Sequence, residues 1–106
     1  MASVIRGSDN FDSGWGNGQT WQAVTGSRSS GVTYTNTTGK PIMVSVCTNM
    51  GANQRLEATV GGVRIVDMGG STIYGDMGIN VFIVPNGTTY VVTATQGTVQ
   101  VWAELR

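Results

Sequence analysis

From Trp21 to its last residue this chain alternates apolar and polar residues with a period of two, broken at short intervals by Gly, Asn or Pro. On an extended strand successive side chains point to opposite faces, so each run can bury one face and wet the other. The pattern is clearest in Gly31 to Val46, GVTYTNTTGKPIMVSV. There Val32 and Tyr34 alternate with Thr33 and Thr35, and Ile42, Val44 and Val46 alternate with Met43, Ser45 and Cys47. Between the runs lies the polar link Asn36-Thr37-Thr38-Gly39-Lys40. Asn36 favours local side-chain bonds, Gly39 can take a positive φ, and Pro41 suits the first residue of a strand. The reading is a β-hairpin.

The rest of the chain follows the same grammar. Leu56, Ala58 and Val60 lead to Gly61-Gly62, a two-residue hairpin signal, and then to Val63, Ile65 and Val66. Ile79 to Val84, INVFIV, reads as a strand buried on both sides. Asn86-Gly87 predicts a third hairpin into a strand whose Tyr90, Val92 and Ala94 share a face. After the turn at Gln96-Gly97, Val99, Val101, Ala103 and Leu105 form the apolar series. That places Trp102, with Gln100 and Glu104, on an outer face or at a subunit contact.

Seven or eight strands with no helical period predict an all-β fold, an antiparallel β-sandwich with jelly-roll wiring as one option. A small closed barrel is the alternative. Residues 1–20 read as a Gly-rich polar leader and 21–106 as a single domain. Asp67 to Gly78, DMGGSTIYGDMG, has no assignable period.

Composition narrows the chemistry. Of 106 residues 11% are charged, and six basic residues balance six acidic ones. No basic patch is present to neutralise phosphates, so nucleic acid is not expected as a partner. A net charge of zero also does little to keep copies apart. With no histidine, Ser-His-Asp and Cys-His nucleophiles and histidine-based zinc sites are excluded. The single Cys47 can form neither an internal disulfide nor a thiolate cluster, and reads as a small buried hydrophobe. No apolar run is long enough to span a bilayer, so a soluble domain without membrane insertion is expected. Asp67 with Asp76, and Asp9 with Asp12, are candidate carboxylate pairs, and Asp9, Asn10 and Asp12 have the oxygen chemistry of calcium ligands without the spacing of an EF-hand loop. Solvated charge and turn caps suit them better. The expectation is therefore no enzyme, no cofactor and no metal.

What remains is binding. The loops Asn49 to Arg55 and Met68 to Gly78 combine Tyr, Asp, Asn, Ser and Thr with glycines, a surface suited to sugars or proteins. Tyr74, Asp76, Asn53 and Arg55 are the candidate contact residues.

Trp21-Gln-Ala-Val-Thr25, Arg28 and Gly31-Val-Thr-Tyr-Thr-Asn-Thr-Thr-Gly-Lys-Pro-Ile42 resemble the C-terminal tip domain of tailed-bacteriophage tail fibre and tail-associated proteins. The likeness covers Trp21 to Val46 and neither the leader nor the later loops. It implies a trimeric β-sandwich in the virion, made in the host cytoplasm, that attaches to a bacterial surface glycan or outer-membrane protein. Its residues read as structural: Trp21 and Tyr34 pack, Arg28 pairs across a strand or subunit, and Gly39 with Pro41 shapes the turn. The alternatives are a carbohydrate-binding or trimer-stabilising accessory domain of a depolymerase, and a purely structural virion component.

Overall fold

A computed structural model of the chain describes residues 16–49, 54–69 and 77–106. Eight strands appear: β1 (Trp21–Ala23), β2 (Thr33–Thr35), β3 (Ile42–Asn49), β4 (Arg55–Val60), β5 (Val63–Gly69), β6 (Met77–Val84), β7 (Thr89–Thr95) and β8 (Thr98–Leu105), with one 3-10 turn at Thr25–Ser27. They form two antiparallel four-stranded sheets, ordered β1-β8-β3-β6 and β2-β7-β4-β5. Each strand of the first half of the chain pairs with its mirror partner in the second: β1 with β8, β2 with β7, β3 with β6 and β4 with β5. The chain is one long two-stranded ribbon, closed at the β4–β5 turn and folded over itself into a sandwich. That is jelly-roll wiring.

At the ribbon's closed end Gly61 and Gly62 hold φ of 58° and 83°. Positive φ at both central residues is the type I′ requirement, so Gly-Gly makes the hairpin its sequence predicts. The other two predicted hairpins are not hairpins. β2 and β3 lie in different sheets, and so do β6 and β7. Gly87 has a φ of 77° while Asn86 stays out of the positive region, so this Asn-Gly does not form the turn that returns a strand beside its neighbour. For β2 and β3, alternation specifies which face each strand buries. It does not specify the strand it pairs with.

The two sheet-switching links lie side by side and are stapled by Asn36, which is buried. Its Nδ2 donates to the carbonyls of Lys40 (2.7 Å) and Val84 (3.0 Å), and its Oδ1 accepts from the Thr38 amide (3.1 Å) and hydroxyl (2.7 Å). The Asn36 amide donates to Thr88 O, Gly87 N donates to Asn36 O, and Gly39 N donates to Asn86 Oδ1. Gly39 takes a φ of 89°, the freedom its position demands. Pro41 sits immediately before β3.

Between the sheets lies one core of Ile42, Val44, Val46, Leu56, Ala58, Val66, Phe82, Val84, Tyr90, Val92 and Trp102. Two expectations fail here. Trp102 is fully buried rather than on an outer face. The pairing of β3 with β8 shifts register between Cys47 and Thr48, whose partners are Val101 and Val99, so Gln100 is skipped. The bulge reverses the faces along β8: Val99 packs on the core, while Val101, Ala103 and Leu105 share the outward side of the sheet with Met43, Ser45 and Cys47. Likewise β6 is buried on one face only. Phe82 and Val84 point in, and Ile79, Val81 and Ile83 are 61%, 52% and 46% exposed.

The outer faces of the two sheets differ. On the β2-β7-β4-β5 sheet the register gives rows such as Thr33–Val91–Thr59–Arg64 and Thr93–Glu57–Asp67, polar and bridged by ion pairs. On the β1-β8-β3-β6 sheet the rows are Trp21–Leu105–Met43–Ile83, Ala23–Ala103–Ser45–Val81 and Val101–Cys47–Ile79. No charged side chain occurs in these three rows. Cys47 is thus a partly buried free thiol on an outer face, not a core residue.

Candidate functional site

The fold brings the residues that anchor the two candidate loops to one end. Asn49, the last residue of β3, pairs with Met77 and Thr98, and Arg55, the first of β4, pairs with Gly69 and Thr95. The β3–β4 and β5–β6 connections therefore leave the sandwich beside each other, next to the Gln96-Gly97 turn. Asn36 and its staples occupy the opposite end. Asn53, Tyr74 and Asp76 fall outside the described residues, as do Asp9, Asn10 and Asp12.

Arg55 is the candidate contact residue within the described set. Its Nε donates to Asp67 Oδ1 at 2.8 Å, and Arg64 bridges Glu57 (3.1 Å) and Asp67 (3.6 Å). The hydrogen bond from Arg55 holds the Asp67 carboxyl below its ordinary range. These groups are well exposed, so the ladder orders the rim without contributing much stability. It lies where β4 and β5 enter the loop end. Gln96 adds a second marker, with a φ of 62° in a region that non-glycine residues seldom occupy. The Gln54 side chain donates to its carbonyl, tying the β3–β4 and β7–β8 connections together. Among the described residues no group of three or more Cys, Asp or Glu side chains could hold a metal ion.

The residues that carry the family resemblance assemble elsewhere, around β8. Glu104 is fully buried. Arg28 grips it with two hydrogen bonds, Nε to Oε2 (3.1 Å) and Nη2 to Oε1 (3.0 Å), and Arg106 Nη1 adds a third at 2.8 Å. The Tyr90 hydroxyl (2.8 Å) and Trp102 Nε1 (3.1 Å) donate to Oε2. Tyr34 lies against Tyr90 and edge-on to Trp102, centroids 5.9 and 6.0 Å away, with the Arg28 guanidinium 4.7 Å above its ring. Thr25 Oγ1 accepts from the Trp102 amide at 3.0 Å. Arg28 thus pairs with Glu104 of the same chain, and Tyr34 packs against Tyr90 and Trp102. Trp21 does not enter the core, being 51% exposed on the outer face of β1. Glu104 itself went unrecognised in sequence, where an acidic residue opposite an apolar series looks solvated. The signal available in the sequence is Trp102 two residues before Glu104 on the same face of β8, since a strand face that buries a tryptophan buries its neighbour too.

Electrostatics mark this cluster as structural. Burial pushes the Glu104 carboxyl up, but hydrogen bonds from Arg28, Tyr90 and Trp102, with the Arg28 charge, outweigh it and hold the carboxyl below its ordinary value. Tyr90 is pushed up to about 12 by burial and by its bond to Glu104. A raised folded pKa gives stability that is present below the unfolded value of 10.0 and is lost as pH rises toward 12. Between pH 10 and 12 the wild type is expected to lose up to about 3 kcal/mol through this group. Tyr90→Phe, less stable at neutral pH, should lack that limb in urea titrations at stepped pH; an unchanged alkaline slope would refute the assignment.

No family model, no curated protein and no solved structure matches this chain.

Proposed function

We propose that this domain is the attachment tip of a tailed-phage tail fibre or tail-associated protein. In this reading it holds a bacterial surface component, a glycan or an outer-membrane protein, at the loop end of a homotrimer in the virion. It is a binding domain and not a catalyst. The observation that carries the reading is the gathering of Asn49, Arg55, Gly69 and Met77, the residues from which the two candidate loops spring, at one end of the sandwich beside Thr95 and Thr98. Variable loops held by a rigid frame are the common arrangement for recognition. The tip-domain motif supports it from the other side, since Val24, Thr25, Arg28 and Tyr34 all serve the frame, away from the loop end.

The mechanism is avidity. Three weak sites on one rigid body make the second and third contacts intramolecular, which can raise the overall affinity by about 10²–10⁴-fold. Co-sedimentation of the full chain with bacterial cell envelopes tests the reading, using a panel of strains with and without enzymatic removal of surface glycans. Retention on some strains and not others is expected, lost on glycan removal for a glycan receptor and on proteolysis for a protein one. Failure to bind any envelope from strains that the parent phage infects would sink it.

A further inference from the structure

From the outer face of the β1-β8-β3-β6 sheet we infer that this is where copies of the chain meet, the strand β6 of each lying at the interface. Trp21, Ile79, Val81, Ile83 and Val101 are 51%, 61%, 52%, 46% and 49% exposed on this one surface. The opposite sheet, built from the same chain, turns threonines and ion pairs outward and exposes large apolar side chains chiefly on its edge strand, at Val63 and Ile65 of β5, so continuous apolar rows are a feature of the β1-β8-β3-β6 face.

The three apolar rows, two residues apart along strands that rise about 3.4 Å per residue and lie about 4.8 Å apart, give a footprint of roughly 15 Å by 20 Å. That is a little over a third of the ~800 Å² that each partner gives to a stable interface, leaving the rest to a surrounding rim. It falls at the lower end of the ~300–600 Å² of the largest apolar patch on a typical single chain, a patch that is often functional.

Two observations favour a copy of this chain over another partner. The face carries no charge, so it offers no complement to a charged partner but is compatible with itself, and the whole chain is neutral and does not repel its copies. In addition β6 is, among the described strands, an edge of its sheet. Its sequence, MGINVFIV, has no Lys, Glu or Pro. These are the devices by which sheets block edge pairing. The open edge and the apolar face converge on the same strand.

This inference deepens the trimer of the proposed function but stands apart from its receptor. The test is sedimentation equilibrium of the full chain, with Cys47 as reporter because it sits within the apolar rows. At tens of micromolar the chain is expected at a multiple of its monomer mass, with its thiol at least tenfold less reactive toward a soluble disulfide reagent than in Ile79→Lys/Val81→Lys. That variant should run as a monomer. Val101→Lys, on a different strand of the same face, should do likewise, and circular dichroism melts show which variants are folded. A monomeric wild type overturns the inference, and so do folded variants of unchanged mass. It is overturned too if deleting residues 1–15 unmasks the thiol without changing the mass, since the leader would then be the occupant. Envelope binding is scored in parallel: a monomeric variant that still binds, more weakly, leaves the receptor reading intact, whereas an oligomer that binds nothing removes that reading alone.

Discussion

Glu104→Ala is expected to destabilise the domain by about 3–5 kcal/mol, the range for removing one partner of a buried charge pair. The alanine leaves the Arg28 charge, mostly buried against Tyr34, without its carboxylate, and the Tyr90 hydroxyl and Trp102 Nε1 without the acceptor they share. For a domain of this size each kcal/mol lowers Tm by about 4–8 °C, so the loss will be plain in a thermal scan. Asp67→Asn is the control. It removes a carboxylate with two arginine partners on the exposed rim, and there about 1 kcal/mol or less is expected. Glu104 also sets the acid limit. A carboxyl depressed in the folded state contributes stability that is present above its unfolded value of 4.5 and is lost as pH falls through the lower folded value. The wild type should therefore weaken below about pH 4.5, and Glu104→Gln, less stable at neutrality, should show a shallower acid slope. Equal losses for Glu104→Ala and Asp67→Asn would mean that the cluster is not the frame of the fold.

Asn36→Ala carries the second large effect, about 2–3 kcal/mol, because a buried polar group left without its partner costs its full desolvation. The Val84 carbonyl and the Thr38 amide each lose a bond made to the Asn36 side chain. Asn36→Asp is informative in a different way. It keeps the acceptor toward Thr38 but replaces the Nδ2 donor with a carboxylate oxygen facing two carbonyls, so it should be at least as damaging as alanine. Urea unfolding followed by tryptophan fluorescence checks both. An Asn36→Asp domain as stable as wild type would show that the link is not held through Nδ2. The same burial makes Asn36 an unsuitable glycan acceptor, although Asn36-Thr37-Thr38 matches the acceptor pattern.

The residues of the sandwich were largely legible in sequence, and its wiring was less so. The faces of β3, β4 and β7 follow from alternation, since Ile42, Val44 and Val46, Leu56 and Ala58, and Tyr90 and Val92 are all core. Pairing was not legible where a local turn signal competed with the ribbon. Asn86-Gly87 and Asn36-Thr37-Thr38-Gly39-Lys40 look like hairpin turns, yet the strands they join belong to opposite sheets. β8 was misread because a single skipped residue exchanges the two faces of a strand, and no pattern within β8 announces the bulge opposite Cys47. The apolar outer face was hidden for a related reason. Ile79, Val81 and Ile83 read as core in a chain taken alone, and what leaves them outside is that they lie on the face of β6 turned away from the second sheet. At the loop end, composition led to Arg55 and to the loops themselves, while the proximity of the loops required the ribbon topology.

Competition for adsorption tests the central claim most directly. Host cells are preincubated with the folded, oligomeric full chain at saturating concentration, and the adsorption rate of the parent phage is then measured. The account predicts that adsorption slows in proportion to the sites occupied, and that a monomeric Ile79→Lys/Val81→Lys chain needs a much higher concentration for the same effect. An adsorption rate unchanged by saturating oligomer would contradict attachment as the function of this domain.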